Sequence, residues 1–281
     1  MTDPVRTNDP AAVRAAVLDL FRAAFPGASV SRLEGAFARA ADCFSGRYAG
    51  YHAIDAHYHD FEHTLQGTLC LARMLHGRHQ AGAKPPVPHA MFELAIIAAL
   101  LHDTGYLKTT DDREGTGAKY TLTHVNRSAE FAARLLGELG FPAAQIGAVQ
   151  NMIRCTGVSA NLGAIPFQDE IERTLGLALG TADLLGQMAA ADYPTKLPLL
   201  YDEFAESARF NGKPGAAGNF ADAADLIART PAFWDNYVLP KIEKDFAGLY
   251  RFLSQPYPSG PNAYLDRIET NIARIRRQIA A

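Results

Sequence analysis

The chain of 281 residues is 48% hydrophobic and carries a formal net charge of −3, so it is long and apolar enough to bury a sizeable core. This balanced charge excludes the basic face that sequence-independent nucleic-acid binding needs, and no apolar run approaches the roughly 18–20 residues of a membrane span. The N-terminus lacks the basic-then-apolar order of a secretory signal, and the three scattered cysteines indicate neither a disulfide framework nor a cysteine zinc site, so we expect a cytoplasmic protein.

Apolar residues recur at helical spacing along most of the chain, and no segment shows the alternation typical of a strand. We therefore predict an all-α fold of the helical-bundle type. We expect one helical domain over residues 1–281, with a core at about 50–195 and a C-terminal helical extension at about 196–281. The clearest helical segments, in chain order, are 11–25, 65–77, 92–103, 124–140, 142–155, 169–192, 231–253 and 262–280.

Polar connections interrupt this helical pattern at 77–89, 107–123 and 211–219. The second of them is long and directly follows a histidine–aspartate pair. Long loops inside compact domains often carry function, so the residues around this loop are candidates for a site.

Histidines and acids cluster in the stretch YHDFEH, residues 58–63. On a helix, His59 and His63 would lie one turn apart on the same face, so both rings would point into one cleft. A second pair, His102 and Asp103, ends a strongly apolar helix. An ionised carboxylate is costly to bury without a partner, and a metal cation would supply that partner.

Imidazole nitrogen and carboxylate oxygen together suit a divalent zinc, manganese, iron or magnesium ion. One further carboxylate would complete a set of four ligands. The segment LGTADLLGQMAAAD offers Asp183 and Asp192, both surrounded by small and apolar residues. Asp183 is preferred because it falls in the middle of the helix among leucines. The predicted metal ligands are His63, His102, Asp103 and Asp183.

The order His63, His102-Asp103, Asp183 resembles that of the HD-domain superfamily of metal-dependent phosphohydrolases, over residues 50–195. Within that superfamily, YHDFEH is similar to the Y-H-x-x-x-H segment of the cyclic-nucleotide phosphodiesterases. This resemblance implies that His63 binds metal and that His59 is the general acid, which donates a proton to the leaving group. It also implies a catalytic part for Asp103, as a ligand that bridges to any second metal ion.

The resemblance continues in ALLHDTGYLK and THVNRSAEFAARLL, and it implies that His124 serves a second metal or contacts phosphate. The chain departs from two-metal members in the stretch NMIRCTG, where Cys155 stands near the position of an expected histidine. One or two metal ions per chain are therefore both compatible with the sequence. Lys108 and Arg127 lie close to the two motifs, and we expect them to bind phosphate oxygens.

The predicted function is that of a phosphohydrolase, in which metal-activated water attacks a phosphoester or phosphodiester of a small, nucleotide-like substrate. One alternative is an iron-dependent oxygenase of the same superfamily, which needs more histidine ligands than this chain offers. Another is a non-catalytic domain that binds a nucleotide or a metal. No nucleic acid or membrane partner is expected, and the sequence is compatible with a monomer or a homodimer.

An aromatic-rich stripe at helical spacing follows the third polar connection. We expect it to pack in the core, with one of its aromatic rings as a candidate for stacking on a base. Its members are Phe233, Tyr237, Ile242, Phe246 and Tyr250.

Overall fold

The computed structural model describes residues 5–158, 160–212 and 220–280. Within this part of the chain, ten α-helices are joined by short helical turns and one isolated β-bridge, which confirms the all-α prediction. Of the third predicted connection, residues 213–219 lie outside the described residues. None of the described helices is both long and apolar enough to cross a membrane. The helices are α1 (Pro10–Ala24), α2 (Ser31–Ser45), α3 (Phe61–Gln80), α4 (His89–Leu101), α5 (His124–Glu138), α6 (Ala143–Ile153), α7 (Glu170–Met188), α8 (Tyr193–Phe210), α9 (Ala223–Phe233) and α10 (Ala263–Ala280).

Helix α4 lies at the centre of the bundle because its sequence has no solvated face. Every residue from Phe92 to Leu101 is buried, and α2, α3, α6 and α7 all pack against this helix. A helix that is apolar all round must be covered on all sides. The end of α4 therefore delivers His102 and Asp103 into the interior of the protein.

Helices α3 and α7 pack closely together, and a glycine permits this approach. A Cβ atom added to Gly186 of α7 would lie 2.8 Å from the carbonyl carbon of Gln66 on α3. Only glycine lets two helix backbones come this near without displacing one of them. As a result, Asp183 of α7 is held beside His63 in the first turn of α3.

The helix predicted over 231–253 runs on from α9 only as far as Asp245, and part of it is π-helical. After α9, the chain forms two π-helical turns, Trp234–Val238 and Lys241–Asp245, and then a 3₁₀ turn at Leu249–Leu253. Pro240 lies between the π-helical turns and has no backbone N–H to donate, so one hydrogen bond of the helix is missing there.

These turns give the aromatic stripe two different environments. Ile242 and Phe246 are buried, as predicted, and Phe246 also borders a large cavity. Phe233 and Tyr237 are more exposed, line the same cavity and stack on each other with centroids 5.0 Å apart. Helix α10 then returns to the bundle, where Asn271 donates to the Met188 carbonyl at the end of α7. The proposed division into a core and an extension stays a prediction.

Candidate metal centre and cavity

The first turn of α3 is fixed by an N-cap. The Asp60 carboxylate accepts a hydrogen bond from the backbone N–H of His63 at 2.8 Å, and the helix begins at Phe61. His59 therefore precedes the helix, and the prediction that it shares a helical face with His63 is wrong. The bend before the helix still brings the two rings together, with their centroids 5.2 Å apart.

The four side chains predicted to bind metal converge in the interior. His63 Nε2 lies 3.3 Å from Asp103 Oδ2 and 3.3 Å from Asp183 Oδ1. His102 Nε2 lies 3.3 Å and 3.4 Å from the same two oxygens. These separations exceed the usual hydrogen-bond range of about 2.7–3.2 Å. They match the spacing of two ligands that each lie about 2.1 Å from one cation.

Two polar atoms of this cluster lack a hydrogen-bond partner. Among the described residues, His102 Nε2 and Asp103 Oδ2 are buried without a hydrogen-bond partner. The other ring nitrogen of His102 lies 2.7 Å from the Ala99 carbonyl, which fixes the ring and leaves Nε2 to face the carboxylates. A buried polar atom without a partner costs free energy. Because a divalent cation would satisfy both atoms, and because nitrogen and oxygen donors suit zinc, manganese or iron, the residues fit a metal ion.

The electrostatics of the cluster also suit a cation. Burial alone would raise the pKa of the Asp103 and Asp183 carboxyls, but the adjacent histidines outweigh it and hold the pKa of both well below the usual range. Burial likewise disfavours a charged His63, yet its contacts with the two carboxylates raise its pKa to about 10. Two carboxylates thus stay ionised in the protein interior, where a bound metal would neutralise them.

Asp183, and not the alternative Asp192, reaches this cluster. Asp192 stands just before α8 with its side chain 42% exposed, and its carboxylate lies 3.7 Å from Lys196 Nζ. Gln187, one turn after Asp183, donates to the Asp183 carbonyl at 3.0 Å and accepts from the Tyr58 hydroxyl at 2.6 Å. This glutamine ties the α7 acid to the YHDFEH stretch, and sequence reasoning did not find it.

His59 has a buried carboxylate partner. Its Nδ1 lies 2.5 Å from Glu203 Oε2, and Glu203 Oε1 accepts the backbone N–H of Tyr58 at 2.6 Å. Burial would raise the pKa of Glu203, but the charge of His59 and these hydrogen bonds lower it below its usual value. Glu203 therefore remains a carboxylate that orients the His59 ring. No motif in the sequence pointed to this acid of α8.

His124 stands beside the cluster, at the start of α5. Its Nδ1 lies 2.6 Å from the Thr121 carbonyl, and its Nε2 lies 3.8 Å from Asp103 Oδ1. Burial lowers the pKa of His124, so the ring is neutral and Nε2 can accept. Tyr106 stacks on both His59 and His124, with ring centroids 4.8 Å and 4.7 Å apart, and the two imidazole centroids lie 5.9 Å from each other. This arrangement needs a glycine, since a Cβ on Gly105 would lie 2.0 Å from the His124 carbonyl oxygen.

The two predicted phosphate-binding cations lie outside the cavity. Lys108 is buried, its Nζ lies 3.1 Å from Asp55 Oδ2, and it donates to the Gly115 carbonyl. Arg127 donates to the carbonyls of Gly105 and Leu107, both at 2.7 Å. Both side chains therefore donate to backbone carbonyls in or next to the 107–123 loop. Their positions do not support the predicted phosphate contacts of Lys108 and Arg127.

A cavity of about 1130 Å³ opens from the cluster. His59, His63, Asp103, His124 and Asp183 form its polar end. The rest of its wall is mainly apolar and comes chiefly from α7, α8, α9, the two π-helical turns and the described residues between α6 and α7. Its larger apolar residues are Leu184, Met188, Leu197, Leu200, Phe204, Phe220, Leu226, Phe233 and Phe246. Cys155 is buried elsewhere and directs its thiol to the Asn151 carbonyl.

Residues 60–189 match the family model of the HD domain, and this stretch holds all four of the residues that face one another in the cluster. This match places residues 60–189 in the HD-domain superfamily of metal-dependent phosphohydrolases. HD domains bind divalent metals, and the buried group of His63, His102 and Asp103, whose ligand atoms lie within 4.8 Å of one another, is able to hold one. No curated protein matches the chain. Glu203 and the wall from α8 onward lie outside the HD-domain match.

Proposed function

We propose that this HD-domain protein is a phosphohydrolase that cleaves a phosphoester or phosphodiester of a small organic substrate. The proposal is carried by one observation: the His59–Glu203 pair stands at the polar end of a large cavity, beside a buried set of metal ligands. A metal ion with a purely structural role would need its ligands but not the adjacent His59–Glu203 pair. A histidine oriented by a carboxylate and facing a cavity adds the capacity to transfer a proton.

His63, His102, Asp103 and Asp183 would hold the metal ion. When bound, a divalent cation supplies Lewis-acid activation of water and a positive charge for the phosphoryl oxygens. Asp103 Oδ1 and His124 Nε2 lie 3.8 Å apart on the cavity side. These two atoms are the ligands left for any second ion. We propose that His124 binds either this second ion or a phosphoryl oxygen.

His59 acts as the general acid in this proposal. The Glu203 carboxylate accepts the Nδ1–H and stabilises the imidazolium, so the Nε2–H is the proton that is transferred. As the attacking water oxygen bonds to phosphorus, the bond from phosphorus to the leaving oxygen breaks and that oxygen takes the Nε2 proton. The attacking water releases one proton to solvent, and solvent returns one proton to His59, so the enzyme is unchanged at the end of the reaction.

A nucleotide-like phosphodiester remains the preferred substrate class, because the Y-H-x-x-x-H resemblance points to it. The cavity is large enough for such a molecule, at about 1130 Å³. Its mainly apolar wall also accepts a ring system. Gln187, the glutamine nearest to the site, already uses its amide on Tyr58 and Asp183, so it is not a reader of the base.

The proposal is tested by assaying the full chain, loaded with manganese, zinc or magnesium, against bis-p-nitrophenyl phosphate and cyclic nucleotides in the absence of oxygen. We expect metal-dependent hydrolysis. His59→Ala should keep its metal and lower turnover about 100-fold or more. His57→Ala is the matched control, because this exposed histidine lies two residues away.

Two results would contradict the proposal. Bound iron with oxygen uptake and no hydrolysis would favour the oxygenase alternative. Full metal content with no turnover on any phosphoester, and unchanged behaviour of His59→Ala, would favour a domain that only binds metal.

A further inference from the structure

Lys241 is a buried cation in the apolar part of the cavity wall. It begins the second π-helical turn, is 9% exposed and lines the cavity. Its ammonium lies 5.3 Å from the Tyr237 ring centre and 5.1 Å from the Phe246 ring centre. Within the described residues it makes no hydrogen bond, and its ion pair with Asp245 is long, at 3.8 Å.

This environment leaves the charge of Lys241 poorly compensated. Aromatic faces attract an ammonium only weakly and are poor acceptors of its hydrogen bonds. The Asp245 side chain is 57% exposed, so water screens its pairing with Lys241. An amine that is nine-tenths buried normally has a close acceptor. Because Lys241 lines the cavity, a ligand bound there is able to supply an acceptor.

Two arginines also line the cavity, and each donates one side-chain hydrogen bond. Arg229 donates to Asp225 Oδ1 at 2.8 Å, and Arg154 donates to Asn151 Oδ1 at 2.8 Å. Lys241 differs from them because it is buried and its ammonium has no hydrogen bond within the described residues.

Lys241 lies within reach of a substrate held at the metal centre. Phe246, whose ring contacts the ammonium, packs on Gly180 of α7, where an added Cβ would lie 2.7 Å from the ring. Gly180 is about one helical turn from Asp183. These contacts connect the ammonium to the part of α7 that carries Asp183, and Lys241 and Asp183 line the same cavity. The stacked rings of Phe233 and Tyr237 also line it.

We propose that Lys241 binds a second anionic group of the substrate, a carboxylate or a phosphate, while the scissile phosphoryl group lies at the metal centre. The substrate is then a phosphoester whose apolar or aromatic body separates two acidic groups. This inference rests on the proposed phosphohydrolase function for the position of the phosphoryl group.

The test compares matched ligands on the manganese-loaded full chain by titration calorimetry. Phenyl phosphate is compared with 4-carboxyphenyl phosphate, and biphenyl-4-yl phosphate with its 4′-carboxy derivative, so that each pair differs by one carboxylate at a known distance. Bisphosphate analogues of the same lengths distinguish a phosphate from a carboxylate. We expect the acid-bearing member of at least one pair to bind about tenfold more tightly, as for a hydrogen bond to a charged group.

Lys241→Met should abolish this preference, and Lys241→Arg should keep most of it. Lys244→Met is the matched control, since Lys244 lies on the same π-helical turn but is exposed. Asp245→Asn removes the competing carboxylate and should increase the preference, which provides a second test if Lys241→Met unfolds.

The proposal is overturned if the wild-type protein shows no preference in any pair, or if folded Lys241→Met retains it. Failure of the hydrolase function has a different signature. In that case biphenyl-4-carboxylate would still bind in a Lys241-dependent manner, but no phosphoester would be hydrolysed.

Discussion

Glu203 Oε2 lies 2.5 Å from His59 Nδ1, although the two residues are 144 positions apart in the chain. The carboxylate comes from α8, beyond the end of the HD-domain match, and the histidine comes from just before its beginning. The proposed proton donor is therefore oriented by a segment that is not part of the matched domain. In the proposed mechanism α8 is therefore part of the site.

Glu203→Gln should lower turnover about tenfold or more and leave metal content unchanged. The neutral amide can still accept the Nδ1–H, but it stabilises the His59 imidazolium less than a carboxylate does. Phosphodiester hydrolysis and metal analysis on the same samples would measure this. Asp202→Asn is the control, because it makes the same change of charge at the exposed neighbouring residue. Unchanged turnover in Glu203→Gln would show that the pair is structural.

Asp183→Asn should lower metal affinity about 10-fold or more, whereas Asp192→Asn should not alter it. A neutral amide binds a divalent cation much less strongly than a carboxylate does, and only Asp183 faces the histidines. Competition with a chromogenic chelator would give both affinities. A larger loss in Asp192→Asn would reverse the choice between the two acids.

Gly186→Ala should destabilise the protein by about 1–3 kcal/mol, since the new methyl group would push against the backbone of α3. It should also weaken metal binding, because separating α3 from α7 moves His63 away from Asp183. Urea unfolding and metal titration would show both effects. Gly137→Ala on α5 is the contrasting variant: an added Cβ there meets nothing within 4 Å, so it should stabilise the helix by about 0.5–1 kcal/mol. Equal stability in the two variants would argue against a close crossing at Gly186.

The buried thiols should make the protein less stable above pH 9. Burial raises the pKa of Cys43, Cys70 and Cys155 to about 12 in the folded state, from an ordinary value of 9.0. The unfolded thiols ionise first, so this contribution to stability is complete below pH 9 and is lost as the pH rises toward 12. Melting temperatures between pH 8 and 11 would measure the loss. Cys43→Ala should show a shallower decline, and an identical decline would refute this origin.

The metal-facing residues could be predicted from the sequence because charged residues are costly to bury and are therefore rare in apolar helices. His102 and Asp103 at the end of a wholly apolar helix, and Asp183 among leucines, are acids and histidines where core residues are expected. The all-α fold could be predicted for the same reason, since helical periodicity extends over long stretches. The order of these motifs along the chain then supported the family resemblance.

Other features left no such pattern. Glu203 is one of several acids on an amphipathic helix, and only the tertiary fold brings it to His59. Lys108 and Arg127 are near the motifs in sequence, but they turn toward loop carbonyls, which sequence proximity cannot reveal. Asp60 caps α3, so the helix begins after His59, whereas the sequence predicts His59 and His63 on one helical face.

The order of the metal-facing residues along the chain bears on how the protein matures during synthesis. His63, His102 and Asp103 leave the ribosome first, but the fourth side chain arrives only with α7, which ends at Met188. Bringing such distant segments together requires a large loop to close, and a nascent chain cannot do so until both ends have emerged. Stable metal capture is therefore expected to come after α7 has docked on α3, so the ion would lock an assembled bundle instead of nucleating one.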